Sequence, residues 1–504
     1  MNRNRFTPLG LLQSMKEGRD IDEEDDTLFY KSIKRSRKRR KSHKNKPGKK
    51  RPRSSHPTSS STSTNEKISG YMYVLDNGKI RLGTPYDSLW WINYVLLPPE
   101  KLNARQRMKF RRRYRMPYET WKDFVEVLNS APLLRKWHKG SVDCIGQRSS
   151  PIELLSLGAL KYLGRKCTFD CLEELTFISE RTHERFFKKF IEFGESTLYT
   201  KYVITPTNHI ELQMQLDMMK SAGFPGCCAS SDATHVMLEN VRFGLRQIHK
   251  GWKLNKTARS YNISVTHTRR ILSSTSGHPS RWNDQSIAWF DDFLVSMRNG
   301  ELLEDYQFEL YEYGPDGNIV LRKYIGVWCM VDNGYHDWPT TIPPYTLCTT
   351  TIAIRWSQWL ESLRKDVECT IGILKKRWSL LSKGVQAKNI VDADRVWKTC
   401  CALHNMLLEI DGLDEMWQPE NMSSVDDNTE PRYFSLQRLL DPNAEDNNET
   451  VDITTVPRTM SSDTSVVSNL DFEYFREKLT MHFDILFKQS KIAWPVGVKV
   501  PRSV

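Results

Sequence analysis

The chain has 504 residues, of which 39% are hydrophobic, and its formal net charge at pH 7 is +13. That length is enough for about two or three domains with a substantial core. There is no long apolar run and no signal-peptide core at the first residues, so we expect neither a membrane span nor a secretory leader. The ten cysteines lack Cys-x-x-Cys spacing, which argues against a disulfide scaffold or a zinc module.

The positive charge is concentrated in one segment near the beginning of the chain. Residues 31–53 contain 14 Lys or Arg and no acid, and removing those charges from the total of +13 leaves about −1 elsewhere. Together with an acidic patch and a Ser/Thr tract, this composition predicts that residues 1–68 are a disordered tail. The run 34–41 is either a solvated tail or a nuclear import signal that also contacts phosphates, and we expect a nuclear protein.

Residues 69–149 are predicted to form a small hairpin followed by helices. Asn77-Gly78 is a typical hairpin turn, and Pro117 is suited to begin a helix. A basic stretch precedes that helix. Its candidate DNA contacts are Arg111, Arg112 and Arg113.

Residues 150–220 have the pattern of three helices with short breaks. Pro151 begins the first helix, while Thr168 and Ser179 are placed to cap the next two. The third helix has a basic side, to which we also assign His183. Its candidate DNA contacts are Arg181, Arg185, Lys188 and Lys189. Such a unit is typical of a helix-turn-helix DNA reader, although a plain helical subdomain with a solvated basic face has the same pattern.

Three carboxylates in residues 221–412 suggest a metal site. Asp232 lies in a run of small and β-capable residues, Asp332 ends an apolar run, and Glu368 lies mid-helix beside a buried stripe. Two aspartates at strand ends and one helical glutamate suit two Mg²⁺ or Mn²⁺ ions, because hard cations prefer carboxylate oxygens and paired metals clamp phosphoryl transfer. We interpret nearby Asp366 as a surface charge.

The remaining pattern surrounds these carboxylates. Residues 260–266 and 270–272 predict an antiparallel meander that starts from the Asp232 strand. Residues 413–468 are polar and acidic and are predicted to be a loose linker. The amphipathic helix in residues 469–504 is expected either to dock on the core or to bind a partner.

In this order and spacing, the landmarks between residues 110 and 408 resemble transposases of the PIF/Harbinger superfamily and their domesticated nuclease relatives. The matching segments are residues 110–117, 232–235, 277–284, 331–335, 364–372 and 403–406. The sequence departs from the family pattern in Ser231-Asp-Ala-Thr-His235, where the family usually has an aliphatic residue before the Asp and Cys after it. No departure removes a carboxylate.

The resemblance implies an α/β fold with an RNase H-like core, in which helices flank a mixed sheet and a helical DNA-binding region precedes it. It implies a DDE metal site for cut-and-paste transposition of double-stranded DNA, a Myb-like partner protein and a homo-oligomeric active complex. By position, Asp232 and Glu368 match the first and last catalytic carboxylates. Asp332 is our first choice for the middle one because it closes a strand. Asp284 is the second choice, although it could instead be a helix N-terminal residue favoured by the dipole.

Two other functions fit the same residues. The chain could be a domesticated DNA-binding or scaffold protein without catalysis, or a nuclease that serves a host purpose without transposition. The intact carboxylates favour an enzyme.

Overall fold

The computed structural model describes most of the chain between residues 66 and 501. The described residues are 66–69, 72–74, 80–142, 146–251, 256–303, 305–386, 389–412, 468–495, 498 and 501. The predicted linker, residues 413–468, lies outside the described part except for Ser468, and so does most of the predicted tail, residues 1–68. The strand at Glu66–Ser69 overlaps the end of that tail.

The described α-helices and β-strands are interspersed from Cys227 onward, with mostly helices between residues 104 and 221. The helices are α1 Ala104–Tyr114, α2 Tyr118–Ser130, α3 Ile152–Arg165, α4 Phe169–Thr176, α5 Glu180–Phe193, α6 Thr200–Tyr202, α7 Gln213–Ser221, α8 Phe243–Ile248, α9 Asp284–Ala288, α10 Asp292–Arg298, α11 Thr351–Arg377, α12 Ser379–Lys383, α13 Ile390–Ile410 and α14 Ser468–Lys488. The strands are β1 Glu66–Ser69, β2 Met72–Val74, β3 Ile80–Leu82, β4 Cys227–Glu239, β5 Ala258–Val265, β6 Ile271–Ser274, β7 His278–Pro279, β8 Gln307–Tyr313, β9 Ile319–Ile325, β10 Trp328–Met330, β11 Thr341–Ile342 and β12 Val385–Gln386.

The main sheet is mixed, and its principal strands run in the order β11, β10, β4, β5, β6. Strands β4, β5 and β6 form the predicted antiparallel meander, while β10 lies parallel to β4 on the other side and β11 lies parallel to β10. Helices flank this sheet. The architecture is mixed α/β and consistent with an RNase H-like core, as the sequence predicted.

Both faces of the sheet are covered by other elements. Successive side chains of a strand point to opposite faces, so neighbouring residues of β4 pack against different elements. Cys227 packs with Trp328, α11 and α14, whereas Cys228 packs with Leu216 and α10. Every residue of β5 is buried, including the polar Arg259 and Asn262, which therefore need hydrogen-bond partners inside the protein.

The helices before the sheet begin where the capping residues predict. Thr168 accepts a hydrogen bond from the Cys171 N–H at the start of α4, and Ser179 accepts one from the Thr182 N–H at the start of α5. Pro151 precedes α3. Phe190 of α5 belongs to the same hydrophobic cluster as residues of α13, so this helical region shares its core with the sheet region.

The C-terminal helix α14 docks on the core, the first of its two predicted fates. Phe472, Leu479 and Phe483 pack against Trp356 and Trp359 of α11. The strands of the predicted hairpin pair as β2–β3, although the Asn77-Gly78 turn lies outside the described residues, and β8 and β9 form a further antiparallel pair. Within the described residues, no helix is long and apolar enough to cross a membrane.

Candidate active site

Asp232 lies within β4, and Asp332 lies in the loop just after the neighbouring parallel strand β10. The pairing of β10 with β4 ends at Met330 opposite Ser230, and each aspartate follows two residues later. Asp232 is therefore the sixth residue of the 13-residue β4 and not at a strand end, which corrects the sequence expectation. Since β10 stops at Met330, however, the β4 edge beside Asp232 is open to the Asp332 loop. Adjacent strands are about 4.8 Å apart, so the register brings the two carboxylates close together.

The loop after β10 fixes Asp332. Its Oδ1 accepts a hydrogen bond from the Gly334 N–H at 2.9 Å, which closes a tight turn. The position that a Cβ would occupy on Gly334 lies 3.0 Å from this Oδ1 and 2.9 Å from Oδ2 of Asp284. Asp284 and Asp332 thus approach each other over Gly334, and a larger residue there would collide with both carboxylates.

Asp284 begins α9, and Asn283 caps that helix by accepting a hydrogen bond from the Ser286 N–H. The helix N-terminus favours a carboxylate at this position, which agrees with the structural alternative from the sequence. Its approach to Asp332 is an additional property that this alternative did not include. Asp284 and Asp332, the two candidates for the middle carboxylate, therefore both lie next to Gly334.

The electrostatics of Asp232 reflect this crowding. Burial and then the nearby Asp332 raise the pKa of Asp232 to about 7, and Asp284 acts in the same direction. The guanidinium of Arg364 and the hydrogen bond from the Ala233 N–H oppose this shift of the Asp232 pKa. Closely spaced carboxylates resist simultaneous ionisation unless a cation lies among them.

Glu368 lies on the helix α11, whose long buried stripe packs against the sheet. Its side chain is 47% exposed and forms an ion pair with Arg364 Nη2 at 2.9 Å. Lys375 follows Glu368 by about two turns and so shares its side of the helix. The Lys375 Nζ donates to Thr234 Oγ1 at 2.7 Å, which turns this side of α11 toward the Asp232 strand.

The three aspartates are thus brought together. Glu368 on α11 is paired with Arg364, whose charge also acts on Asp232. Across the described residues, no group of three or more His, Cys, Asp and Glu side chains is already arranged as a metal cage. The donor set nevertheless fits a hard divalent cation, because it consists of carboxylate oxygens whose mutual repulsion a cation would relieve. Asp232, Asp284, Asp332 and Glu368 are the residues that could hold it.

Residues 232–405 match the family model described as DDE superfamily endonuclease. The match begins at Asp232 and spans Asp284, Asp332 and Glu368. It supports assignment of this region to the DDE endonuclease superfamily and a transposase-type or nuclease-type function. No curated protein and no solved structure matches the chain.

The predicted DNA contacts lie outside the part of the chain that matches the DDE endonuclease model. On α5, the four basic residues are exposed, and two of them have acidic partners on the same helix. These residues are Arg181, Arg185, Lys188, which pairs with Glu184, and Lys189, which pairs with Glu192. His183, assigned to the same basic side, is instead buried and hydrogen-bonded to Thr176 Oγ1, so that assignment was wrong.

The arginines of α1 contact the protein itself. Arg111 pairs with Asp411 at the end of α13, and Arg113 donates to the Tyr94 hydroxyl at 2.8 Å. Arg112 between them is half-buried. These contacts anchor α1, and whether the arginines also bind DNA stays a prediction.

Sequence reasoning missed a buried polar network below the aspartates of the DDE endonuclease region. The Tyr335 hydroxyl donates to Asn262 Oδ1, and the Asn262 amide donates to Asp291 Oδ2. Tyr335 follows the Asp332 turn, and burial together with Asp232, Asp284 and Asp332 raises its pKa well above the usual range. The network therefore ties the Asp332 loop to β5. An Asn inside an otherwise buried strand was the available signal.

Proposed function

We propose that this chain is a divalent-metal-dependent DNA endonuclease of the transposase type, in which Asp232, Asp332 and Glu368 are the catalytic carboxylates. The observation that supports this proposal best is the parallel register of β4 and β10, which sets Asp232 beside Asp332 within the matched region. The segments listed for the resemblance favour the PIF/Harbinger group within the superfamily.

Each residue has a distinct role in this proposal. Asp232, Asp332 and Glu368 hold the cations, and Asp284 either completes the set or replaces Asp332 as the middle ligand. Bound Mg²⁺ or Mn²⁺ ions would lower the pKa of a ligated water and neutralise charge on the phosphate. Arg364 balances the negative charge of Glu368 through an ion pair at 2.9 Å.

The proposed reaction is hydrolysis of a phosphodiester bond followed by strand transfer. A water oxygen bonds to phosphorus while the P–O3′ bond breaks, which gives a 3′-hydroxyl and a 5′-phosphate. The attacking water gives up a proton to solvent or to a basic group of the site, and the departing O3′ takes up a proton from solvent to become the 3′-hydroxyl. In the second step the 3′-hydroxyl attacks a target phosphodiester, so that one P–O bond forms as another breaks.

The proposal also includes the context of cut-and-paste transposition. We infer that the enzyme acts in the nucleus, to which the basic run 34–41 would direct it. We also infer that it acts as a homo-oligomer and that a Myb-like protein assists it. A host nuclease that stops after the first step would use the same residues.

A second candidate is a DNA-binding scaffold without catalysis. The exposed position of Glu368 and its ion pair with Arg364 favour this alternative, because a side chain held by an arginine need not serve as a ligand. Cleavage assays separate the two candidates.

The chemistry of the cut ends tests the proposed reaction. Purified protein with Mn²⁺ should nick plasmid DNA and leave 3′-hydroxyl ends that a DNA polymerase extends and 5′-phosphates that a ligase reseals. Ends with a 3′-phosphate would contradict the proposed step, in which water attacks phosphorus and O3′ is the leaving group. Extended incubation with a second plasmid should join the 3′-ends to it if the protein is a transposase, whereas a host nuclease would only cut.

A further inference from the structure

A basic cavity lies at the C-terminal end of β4, remote along that strand from Asp232. Its lining includes four cationic side chains and one carboxylate, and β12 pairs with β4 beside it. These charged residues are Arg246, Lys250, Lys256, Lys383 and Glu239. All four cations are exposed to solvent.

The one carboxylate among the described lining residues is already neutralised. Glu239 Oε2 pairs with Lys166 Nζ at 2.6 Å, and the same Nζ donates to the Lys383 carbonyl at 2.8 Å. Lys166 therefore offsets Glu239, and among the described residues that line the cavity no other acidic side chain balances the four cations. Outside residues 31–53 the chain has a net charge of about −1, so this local excess is not a general property of its surface.

The cations come from three segments that the fold holds together. Lys250 and Thr257 form an isolated antiparallel bridge, which sets Lys250 and Lys256 on either side of one short pairing. Arg246 lies on α8, one turn before Lys250. Lys383 arrives from the end of α12, just before β12 pairs with β4. Cations gathered from distant sequence positions into a concave surface form a binding site for a polyanion.

We propose that this cavity binds the phosphate backbone of the duplex DNA substrate away from the cleaved bond. Lys and Arg contacts to phosphates supply most of the sequence-independent affinity for DNA and fix the position of the duplex. This proposal rests on the proposed function and names a second DNA contact for the same enzyme. It differs from the predicted reader helix α5.

The distance from the aspartates suits an extended substrate. Glu239 follows Asp232 by seven residues on β4. At about 3.3 Å per residue the cavity lies roughly 23 Å farther along the strand. One strand of B-DNA advances about 3.4 Å per nucleotide, so the contacted phosphates are expected about seven base pairs from the cut.

Duplex binding in EDTA tests the proposal without interference from cleavage. Fluorescence anisotropy with a labelled duplex of arbitrary sequence would compare the full chain with a Lys250→Ala/Lys256→Ala variant. We expect binding at low salt to weaken roughly tenfold, and the slope of log K against log salt to fall by about two. The matched control is Lys136→Ala/Lys323→Ala, which removes two exposed lysines elsewhere and should leave both values unchanged.

The outcomes separate this proposal from the proposed function. An unchanged slope in the Lys250/Lys256 variant, with nicking by the wild type intact, would overturn the cavity proposal alone. An equal loss in both double variants would indicate general charge attraction and would also overturn it. A weaker slope in the Lys250/Lys256 variant alone would support the proposal even if no form of the protein cleaves DNA.

Discussion

Asp232 is the residue whose environment says most about the site. A carboxyl with a pKa of about 7 is half protonated near neutral pH, whereas the same group in an unfolded chain ionises near pH 4. The folded chain therefore holds this proton more tightly than the unfolded chain. In the absence of metal, Asp232 should make folding less favourable as pH rises from about 4 to about 7.

This decrease in stability with rising pH leads to a prediction for Asp232→Asn. Without metal at pH 8, the variant should be more stable than the wild type by about 1–4 kcal/mol, because the substitution removes a buried charge beside Asp332. At pH 4 the difference should vanish. Thermal unfolding in EDTA at the two pH values measures this. A variant less stable than the wild type at pH 8 would show that the carboxylate is already well compensated.

Arg364 forms an ion pair with Glu368, and its charge also acts on Asp232, so it competes with any cation for both carboxylates. Arg364→Met keeps much of the side-chain length and removes the charge, so Mn²⁺ should bind roughly three- to tenfold more tightly. Calorimetric titration with Mn²⁺ measures this, with Lys365→Met on the exposed side of α11 as the control. Weaker binding in Arg364→Met would instead mean that the arginine orients Glu368 as a ligand.

At the level of elements, the capping residues and apolar periodicity of the helices could be predicted because those signals are local. Thr168, Ser179 and the buried stripe of α11 all conform. The meeting of Asp284 with Asp332 could not be predicted, since it depends on how the loop at Gly334 packs against α9. The assignment of His183 to the basic side of α5 was wrong because its ring packs beside Gly158, a contact that helical spacing does not reveal.

Asp366 on α11 was also wrongly interpreted as a surface charge. It is buried, and its Oδ2 contacts Nδ1 of buried His267, just after β5. The contact joins the helix that carries Glu368 to the strand next to Asp232. A carboxylate two residues from Glu368 faces the other side of α11, and the sequence could not show that this side is covered as well.

Removal of this contact should destabilise the protein. Asp366→Ala leaves a buried His267 without its carboxylate, so the free energy of unfolding should fall by about 2–4 kcal/mol. Urea unfolding measures this against Lys376→Ala, an exposed change on the same helix that should alter stability by no more than about 0.5 kcal/mol. Equal effects of the two substitutions would mean that the pair contributes nothing to the position of α11.

For the whole molecule, several histidines are buried in an uncharged state. Burial lowers the pKa of His404 to about 3 and the pKa values of His183 and His482 to about 4. In the unfolded chain these residues take up protons near pH 6.5. The unfolded state thus binds more protons below that pH, and stability should fall as pH decreases from 6.5 toward 4.

The acid sensitivity should be large and traceable to these residues. At pH 5, each histidine should reduce the free energy of unfolding by about 1–2 kcal/mol relative to pH 7. Urea unfolding at both pH values should show a smaller decrease in His404→Gln than in the wild type. His209→Gln, at an exposed histidine, should keep the full decrease. An identical decrease in His404→Gln and the wild type would rule out His404 as a source.

The central claim is that Asp232 and Glu368 belong to one metal-dependent nuclease site. The most direct measurement is nicking of supercoiled plasmid in Mn²⁺ by the wild type, Asp232→Asn and Glu368→Gln, with duplex binding measured in parallel. We predict that the wild type nicks the plasmid and that both variants bind DNA normally but do not cleave it. Normal cleavage by Asp232→Asn would contradict the assignment, and absence of cleavage by every form, even with a Myb-like partner added, would favour the DNA-binding scaffold.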